Sequence, residues 1–138
     1  MIIDKFLQVS DAQAVTASAA STDVIDTGVA NRGIGDVTTL AAVFTVDVTA
    51  VSGGASTVTF AVQHSADNVT FTDAVVSPAI AKASLTAGAQ PAVLKLPSEL
   101  KRYVRAYYTV ATADLTAGKF SAQVVMDYNR QRAYPNVV

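Results

Sequence analysis

A strict two-residue alternation of apolar and polar side chains constrains this chain more than any other feature. A strand sends successive side chains to opposite faces, and no helix satisfies that period. Between Leu40 and Thr49, Ala42, Phe44, Val46 and Val48 fall on one side and Thr45, Asp47 and Thr49 on the other, as in a half-buried strand. Thr57 to His64 repeats the pattern, with Val58, Phe60 and Val62 inward and Thr57, Thr59 and Gln63 outward. Only Ser52-Gly53-Gly54-Ala55-Ser56 separates the two runs, so they read as an antiparallel hairpin. Tyr103 to Val110 alternates again, with Val104, Ala106, Tyr108 and Val110 inward and Arg105 and Thr109 opposite. After Gly118, the inward side of a last strand is Phe120, Ala122, Val124 and Met126. These four runs are the expected core.

Weaker signals fill the intervals. Ala66, Asp67 and Asn68 form a turn, because Asp and Asn bond their own backbone, and a shorter strand follows around Val69 to Thr72. Pro78 with Ala79 to Ala83 fits either an edge strand or one helical turn. Ala92 to Leu96 reads as a short strand closed by Pro97 and Ser98, and Val24 and Ile25 as a brief one before Gly28. Short strands at these spacings, without a sustained helical period, predict an all-β single-domain β-sandwich, jelly-roll-like in form. From Val9 to Ser21 the side chains are mostly too small to fill a core. Residues 1–20 are therefore expected as an N-terminal arm, 21–128 as the sandwich domain, and 129–138 as an aromatic, basic tail that is loose unless docked.

Composition narrows the function classes. The chain holds 25 Ala, 21 Val and 15 Thr but one Glu, Glu99, and only 15% of its 138 residues are charged. An average domain carries about 25% charge, so a surface this sparse in charge is suited to meeting other protein. Ten Lys and Arg against eleven Asp and Glu leave a net charge of −1, without the basic footprint that nucleic-acid binding needs. Met1 to Leu7 lacks the long apolar run of a signal peptide or membrane span, so no membrane partner is expected. The absence of cysteine excludes disulfides, thiolate metal sites and Cys nucleophiles.

Catalytic constellations are hard to assemble. The single histidine, His64, sits at a strand end, and no Gly-x-Ser-x-Gly elbow occurs, so it reads as a hydrogen-bonded or solvated side chain. One His without Cys leaves too few zinc ligands. The ten Asp residues fall mostly in turns such as Asp36, Asp67, Asp73 and Asp114, and Asp67, Asn68 and Asp73 lack the ligand spacing of a calcium loop. Gly33 and Gly35 lack the third glycine and following helix of a phosphate cradle and read as a mobile loop. No enzyme activity, cofactor or metal is expected, and a small-molecule ligand is not anticipated.

The order of several motifs goes further. Met-Ile-Ile-Asp at the start, Ser10-Asp11-Ala12-Gln13-Ala14-Val15-Thr16-Ala17, Ala19-Ala20-Ser21-Thr22 and Val24-Ile25-Asp26 resemble the N-terminal signature of capsid cement proteins of tailed phages. Leu96-Pro97, Lys101-Arg102-Tyr103-Val104-Arg105, Tyr108-Thr109-Val110 and Thr116-Ala117-Gly118-Lys119 are similar to the same family, whereas the chain from Tyr128 onward departs from it. The resemblance implies a jelly-roll-like sandwich, made in the bacterial host cytoplasm, that binds the outside of an icosahedral capsid as a structural virion protein and bridges major capsid protein subunits. It also implies association with itself, as a homodimer in preference to a trimer.

Subunit contacts are expected where apolar or arginine-aromatic groups have no use inside a sandwich. These are Ile2, Ile3 and Phe6; Arg102, Arg105 and Tyr107; and Arg130, Arg132 and Tyr134. The alternative is a carbohydrate-binding or adhesion module, suggested by Gln63 to Asn68 followed by Phe71-Thr72, with Tyr103 and Tyr107 sharing one face as a platform. It lacks the Trp that sugar platforms favour. A small hydrolase ranks third.

Overall fold

Each alternating run becomes a strand in the computed structural model, which describes residues 3–30, 40–126 and 128. In chain order the strands are β1 (Gln8–Ala14), β2 (Ala19–Ala20), β3 (Ile25–Asp26), β4 (Leu40–Val51), β5 (Thr57–Ser65), β6 (Thr72–Val76), β7 (Ile80–Ala81), β8 (Ala92–Lys95), β9 (Tyr103–Ala111) and β10 (Ala117–Met126). The helical content of the described residues is two short 3-10 turns, Lys5–Leu7 and Lys82–Ser84. The first sheet has the order β1-β10-β4-β8. The second has the order β2-β9-β5-β6, with β3 adding to β9 and β7 to β5. All of the pairs are antiparallel.

If β2 with β3, and β6 with β7, are each taken as one interrupted strand, the chain changes sheet at every step except between β5 and β6. That is jelly-roll wiring, two four-stranded sheets facing each other. The four long central strands each send one ring into the space between them: Phe44 from β4, Phe120 from β10, Phe60 from β5 and Tyr108 from β9, all with 0% exposure. Ring centroids lie 5.1 Å apart for Phe44–Phe60 and 5.6–6.0 Å apart for four other pairs, at tilted, edge-on and stacked angles. Full burial of each such side chain contributes roughly 1.5–3 kcal/mol, with about 0.5–1.5 more for each well-placed aromatic pair.

The two best runs do not form a hairpin. β4 lies in the first sheet and β5 in the second, so Ser52 to Ser56 carries the chain across the core. A hairpin would set Phe44 and Phe60 side by side on one sheet, whereas the crossover brings their rings together, tilted, across the interior. Small residues make the crossing tight. A Cβ on Gly54 would come within 2.8 Å of the Ala113 side chain. Ser52 donates to the Asp114 carbonyl at 2.8 Å, Ser56 to the Ala113 carbonyl at 2.5 Å, and Lys82 Nζ to the Ser52 carbonyl at 2.5 Å.

Other expectations shift for local reasons. Val69 to Phe71 is a turn rather than a strand, because Asp67 Oδ1 accepts the N–H groups of Val69 and Thr70, both at 2.9 Å, and Asn68 turns left-handed at φ 59°. The strand begins at Thr72 instead. The ambiguous stretch after Pro78 holds both alternatives, β7 and then a 3-10 turn. Val48 and Met126, expected inward, are 43% and 58% exposed. Register shifts around Lys119 re-aim the strand beside Val48, as bulges do, and Met126 is the last residue of β10. β4 is more than half-buried, since Ala41 and Val43 on its other face are buried too.

The sandwich also begins earlier in the chain than residue 21. β1 pairs with β10, Val9 and Val15 are 4% and 1% exposed, and β2 pairs with β9. Small side chains suit this edge because β1 is bulged twice and Ala12 takes φ 45°, so its backbone lies close against Ser121, whose hydroxyl accepts the Ala12 N–H. Residues 129–138, with Arg130, Arg132 and Tyr134, lie outside the described residues, as do Ile2 and the loop with Gly33, Gly35 and Asp36.

Candidate functional site

Outward side chains of β9, β5 and β6 meet on the exposed face of the second sheet, and the cross-strand register sorts them into rows. Arg105 lies opposite Gln63, which lies opposite Asp73. In the next row Ala20, Tyr107, Ala61 and Val76 run across four strands. The first row is wired together. Arg105 Nε and Nη2 donate to Gln63 Oε1 at 3.0 and 2.8 Å, and Gln63 Nε2 donates to Asp73 Oδ1 at 2.9 Å. A cation thus stands at one end of the row and an anion at the other.

Aromatic rings hold the cation flat. The Arg105 guanidinium lies 3.7 Å from the centroid of Phe71, which the Asp67 turn delivers to this face, and 5.7 Å from that of Tyr107. Guanidinium over an aromatic face is favourable by about 0.5–1 kcal/mol at exposed sites and more when desolvated. Beside it, Arg102 sits 5.0 Å from the Tyr103 ring and makes two bonds to Asp26, at 2.7 and 2.9 Å. Asp26 is held down to about 2, first by Arg102 and then by the Gly28 N–H that it also accepts at 2.8 Å. Arg102 is therefore engaged by its own chain through Asp26, and Arg105 and Asp73 through Gln63.

A second surface lies at the edge of the first sheet. Continuing the pairing of Gln8 with Gln123 brings the 3-10 turn Lys5–Leu7 alongside the end of β10. Asp4 caps the turn: its carboxylate accepts the Phe6 N–H at 3.0 Å and its carbonyl the Leu7 N–H at 3.0 Å. Lys5 reaches Asp11 at 3.1 Å and Gln8 at 3.3 Å, while Leu7 packs on the core. Phe6 is left projecting from a fixed backbone with 90% exposure, and Ile3, in the same segment, is 51% exposed.

The structure thus divides the expected contact residues. Arg105 and Tyr107 come together on one face, Arg102 stands just before β9 on Asp26 and Tyr103, Ile3 and Phe6 lie on another element, and Ile2, Arg130, Arg132 and Tyr134 lie outside the described residues. Sequence reasoning placed Phe71 only in the strand-turn-strand of the adhesion alternative and missed Asp73 and Val76 as members of the first face. Gln63 was legible as outward, but its partners depend on pairing register.

His64 and Asp67 have backbone partners. His64 Nδ1 accepts the Lys101 N–H at 3.3 Å, and burial, then the Lys101 charge, lower its pKa. Asp67 is held down to about 2 by the N–H groups of Thr70 and Val69 and by Ser65. Asp67 and Asp73 serve different partners, and among the described residues no three His, Asp or Glu side chains converge as a metal set. Inside the sandwich, a void of about 10 Å³ bordered by Val9, Phe44, Val62, Val104 and Val124 is at most the size one water requires.

The Bbp16 family model matches residues 9–124, from the second residue of β1 to Val124 in β10. No curated protein matches the chain.

Proposed function

Because the chain belongs to the Bbp16 family, we propose that it is a structural protein of a phage virion that binds the outer surface of an icosahedral capsid and cements major capsid protein subunits together. The observation that carries this reading is Phe6: a bulky aromatic side chain, 90% exposed, on a turn capped by Asp4 and braced by Lys5. A soluble protein gains nothing from ordering such a group, but an aromatic anchor held in advance loses little entropy when a partner's pocket takes it. Cementing needs no covalent step. Modest contacts to several subunits add through high effective concentration and stabilise the assembled shell by binding it in preference to its parts.

The adhesion alternative is less well supported, because Arg105 already covers the Phe71 ring and Arg102 lies over Tyr103. A sugar would have to displace both guanidinium groups to stack. The test adds purified chain to shells of major capsid protein that lack it. We expect stoichiometric co-sedimentation, weakened roughly 30-fold by Phe6→Ala, as loss of a hot spot of about 2 kcal/mol predicts. Absence of binding to intact shells at any concentration would defeat the proposal.

A further inference from the structure

We propose that the outer face of the first sheet is the docking site for the C-terminal segment of the same chain, residues 129–138, which Tyr128 leads onto it as a strap. The proposal goes beyond the capsid reading and does not depend on it. Its first basis is burial. On this face Val43 of β4 lies opposite Gln123 of β10 and Val93 of β8, and Ala41 lies opposite Val125 and Lys95. Val43 is 0% exposed, Val125 2%, Gln123 3% and Ala41 4%. Ala41, Val43 and Val125 take no part in the core between the sheets, which the alternate residues of the same strands fill. An uncovered sheet face leaves its side chains partly wet, as Gln63, Arg105 and Tyr107 are on the outer face of the second sheet.

The second basis is the position of Tyr128. Met126, the last residue of β10, pairs with Leu40 at the start of β4. Gln90 lies much further along β4, because its neighbour Ala89 accepts the Val46 N–H at 2.9 Å and Ala92 pairs with Phe44. From Leu40 to the level of Gln90 is about five residues of strand, or roughly 17 Å, and from β10 to the β8 side of β4 is about 10 Å more. Continuing β10 in its own direction would carry Tyr128 away from Gln90. Instead, the Tyr128 hydroxyl donates to Gln90 Oε1 at 2.8 Å. Tyr128 therefore reaches back across β4, and it does so on the outer face, since the inner one is filled by Phe44 and its neighbouring rings.

A ring crossing β4 serves Ala41 and Val43, but Gln123 and Val125 stand on β10 and need more cover than one side chain. The ten residues after Tyr128 can extend about 33 Å, enough to run the length of β10 from a start already over the sheet. Ala133, Tyr134, Val137 and Val138 bring the apolar surface that such a face requires. Arg130 and Arg132 bring charge opposite to that of Asp47, whose carboxylate stands on this face and accepts the Ser121 hydroxyl at 2.7 Å.

The test uses the full chain, whose lack of cysteine allows a single nitroxide to be attached at Ala133→Cys. In isotope-labelled protein we expect the nitroxide to broaden the amide signals of Ala41, Val43 and Gln123 and to spare those of Gln63 and Arg105. Tyr128→Ala and Gln90→Ala, which alter no residue of the core, should each reduce the broadening, with melting temperatures confirming the fold. Trypsin should cut after Arg130 and Arg132 about tenfold faster in Tyr128→Ala, because cleavage follows the population of the undocked segment and an aromatic anchor has been lost. Broadening of the second sheet's outer face, or of neither face, overturns the proposal, as does cleavage indifferent to Tyr128→Ala. So does broadening that requires nitroxide and isotope on different chains of a mixed sample, which would put the segment on a second copy.

Discussion

Tyr107 and Tyr108 are neighbours on β9, yet they belong to regions governed by different physics. Tyr108 points between the sheets, fully buried, with rings of Phe44, Phe60 and Phe120 around it and, among the described residues, no hydrogen bond for its hydroxyl. Tyr107 points outward, half-buried in a row of Ala20, Ala61 and Val76 and close to the Arg105 guanidinium. Inside, shape and apolar area decide, and a polar atom can go unpaired when packing requires the ring. Outside, polar groups satisfy one another along the row from Arg105 through Gln63 to Asp73. Apolar packing dominates the first face and hydrogen-bonded polar contacts the second.

Removing the ring is the sharpest way to break this contrast. Tyr108→Ala should cost about 3–5 kcal/mol, since a large core side chain leaves a cavity that close-packed neighbours cannot fill. Tyr107→Ala should cost well under half as much, because the ring is only partly removed from water. Urea unfolding of both variants checks the pair; equal losses would mean that the outer face contributes as much to folding as the core.

Removing one atom probes the same contrast more finely. Burial raises the Tyr108 phenol well above its ordinary value, and nearby Ser10 donates its own hydroxyl to Gln13 at 2.8 Å. Tyr108→Phe keeps the ring and deletes the orphan, so it should raise stability by about 1 kcal/mol, the desolvation cost of an unpaired hydroxyl. A fall in melting temperature would show that the hydroxyl is paired after all. On the outer face the sign reverses. Gln63→Leu conserves volume but strands Arg105 and Asp73, and should lose about 1 kcal/mol and no more, because both ends reach water.

How much of this was readable from the chain follows from what a two-residue period encodes. Alternation says which side chains share a face, so Phe44, Phe60, Tyr108 and Phe120 were placed inward, and Arg105 outward, without any structure. It does not say to which sheet a strand belongs. A loop of Ser and Gly suits a hairpin and a crossover equally, and the crossover is decided by distant partners, Ala113, Asp114 and Lys82. Register is equally silent, so the row from Arg105 to Asp73 emerges only once β9, β5 and β6 are paired. β1 was underestimated for a related reason. Small side chains fill little space alone, but on a bulged edge they let the backbone approach, and Val9 and Val15 then suffice to join the core.

The smallest effects come from acid, to which His64 and the two lowered carboxylates should respond in sequence. His64 has its pKa lowered, mainly by burial and then by Lys101, so the unfolded chain binds a proton that the folded one resists. Its contribution to stability is complete above about pH 6.5 and declines as the pH falls below that value. Asp26 and Asp67 are held down to about 2 from an ordinary 3.8 by the bonds they accept, so their contributions persist above about pH 4 and disappear toward pH 2. The urea midpoint should therefore drop in a slight step below pH 6.5 and again below pH 4. His64→Gln should abolish the first step alone, since it removes the titrating ring that accepts the Lys101 N–H. Arg102→Ala should shrink the second, because Arg102 is the largest influence on Asp26. A single step near pH 4 in the unaltered chain would mean that the ring's environment in the folded protein is no different from water.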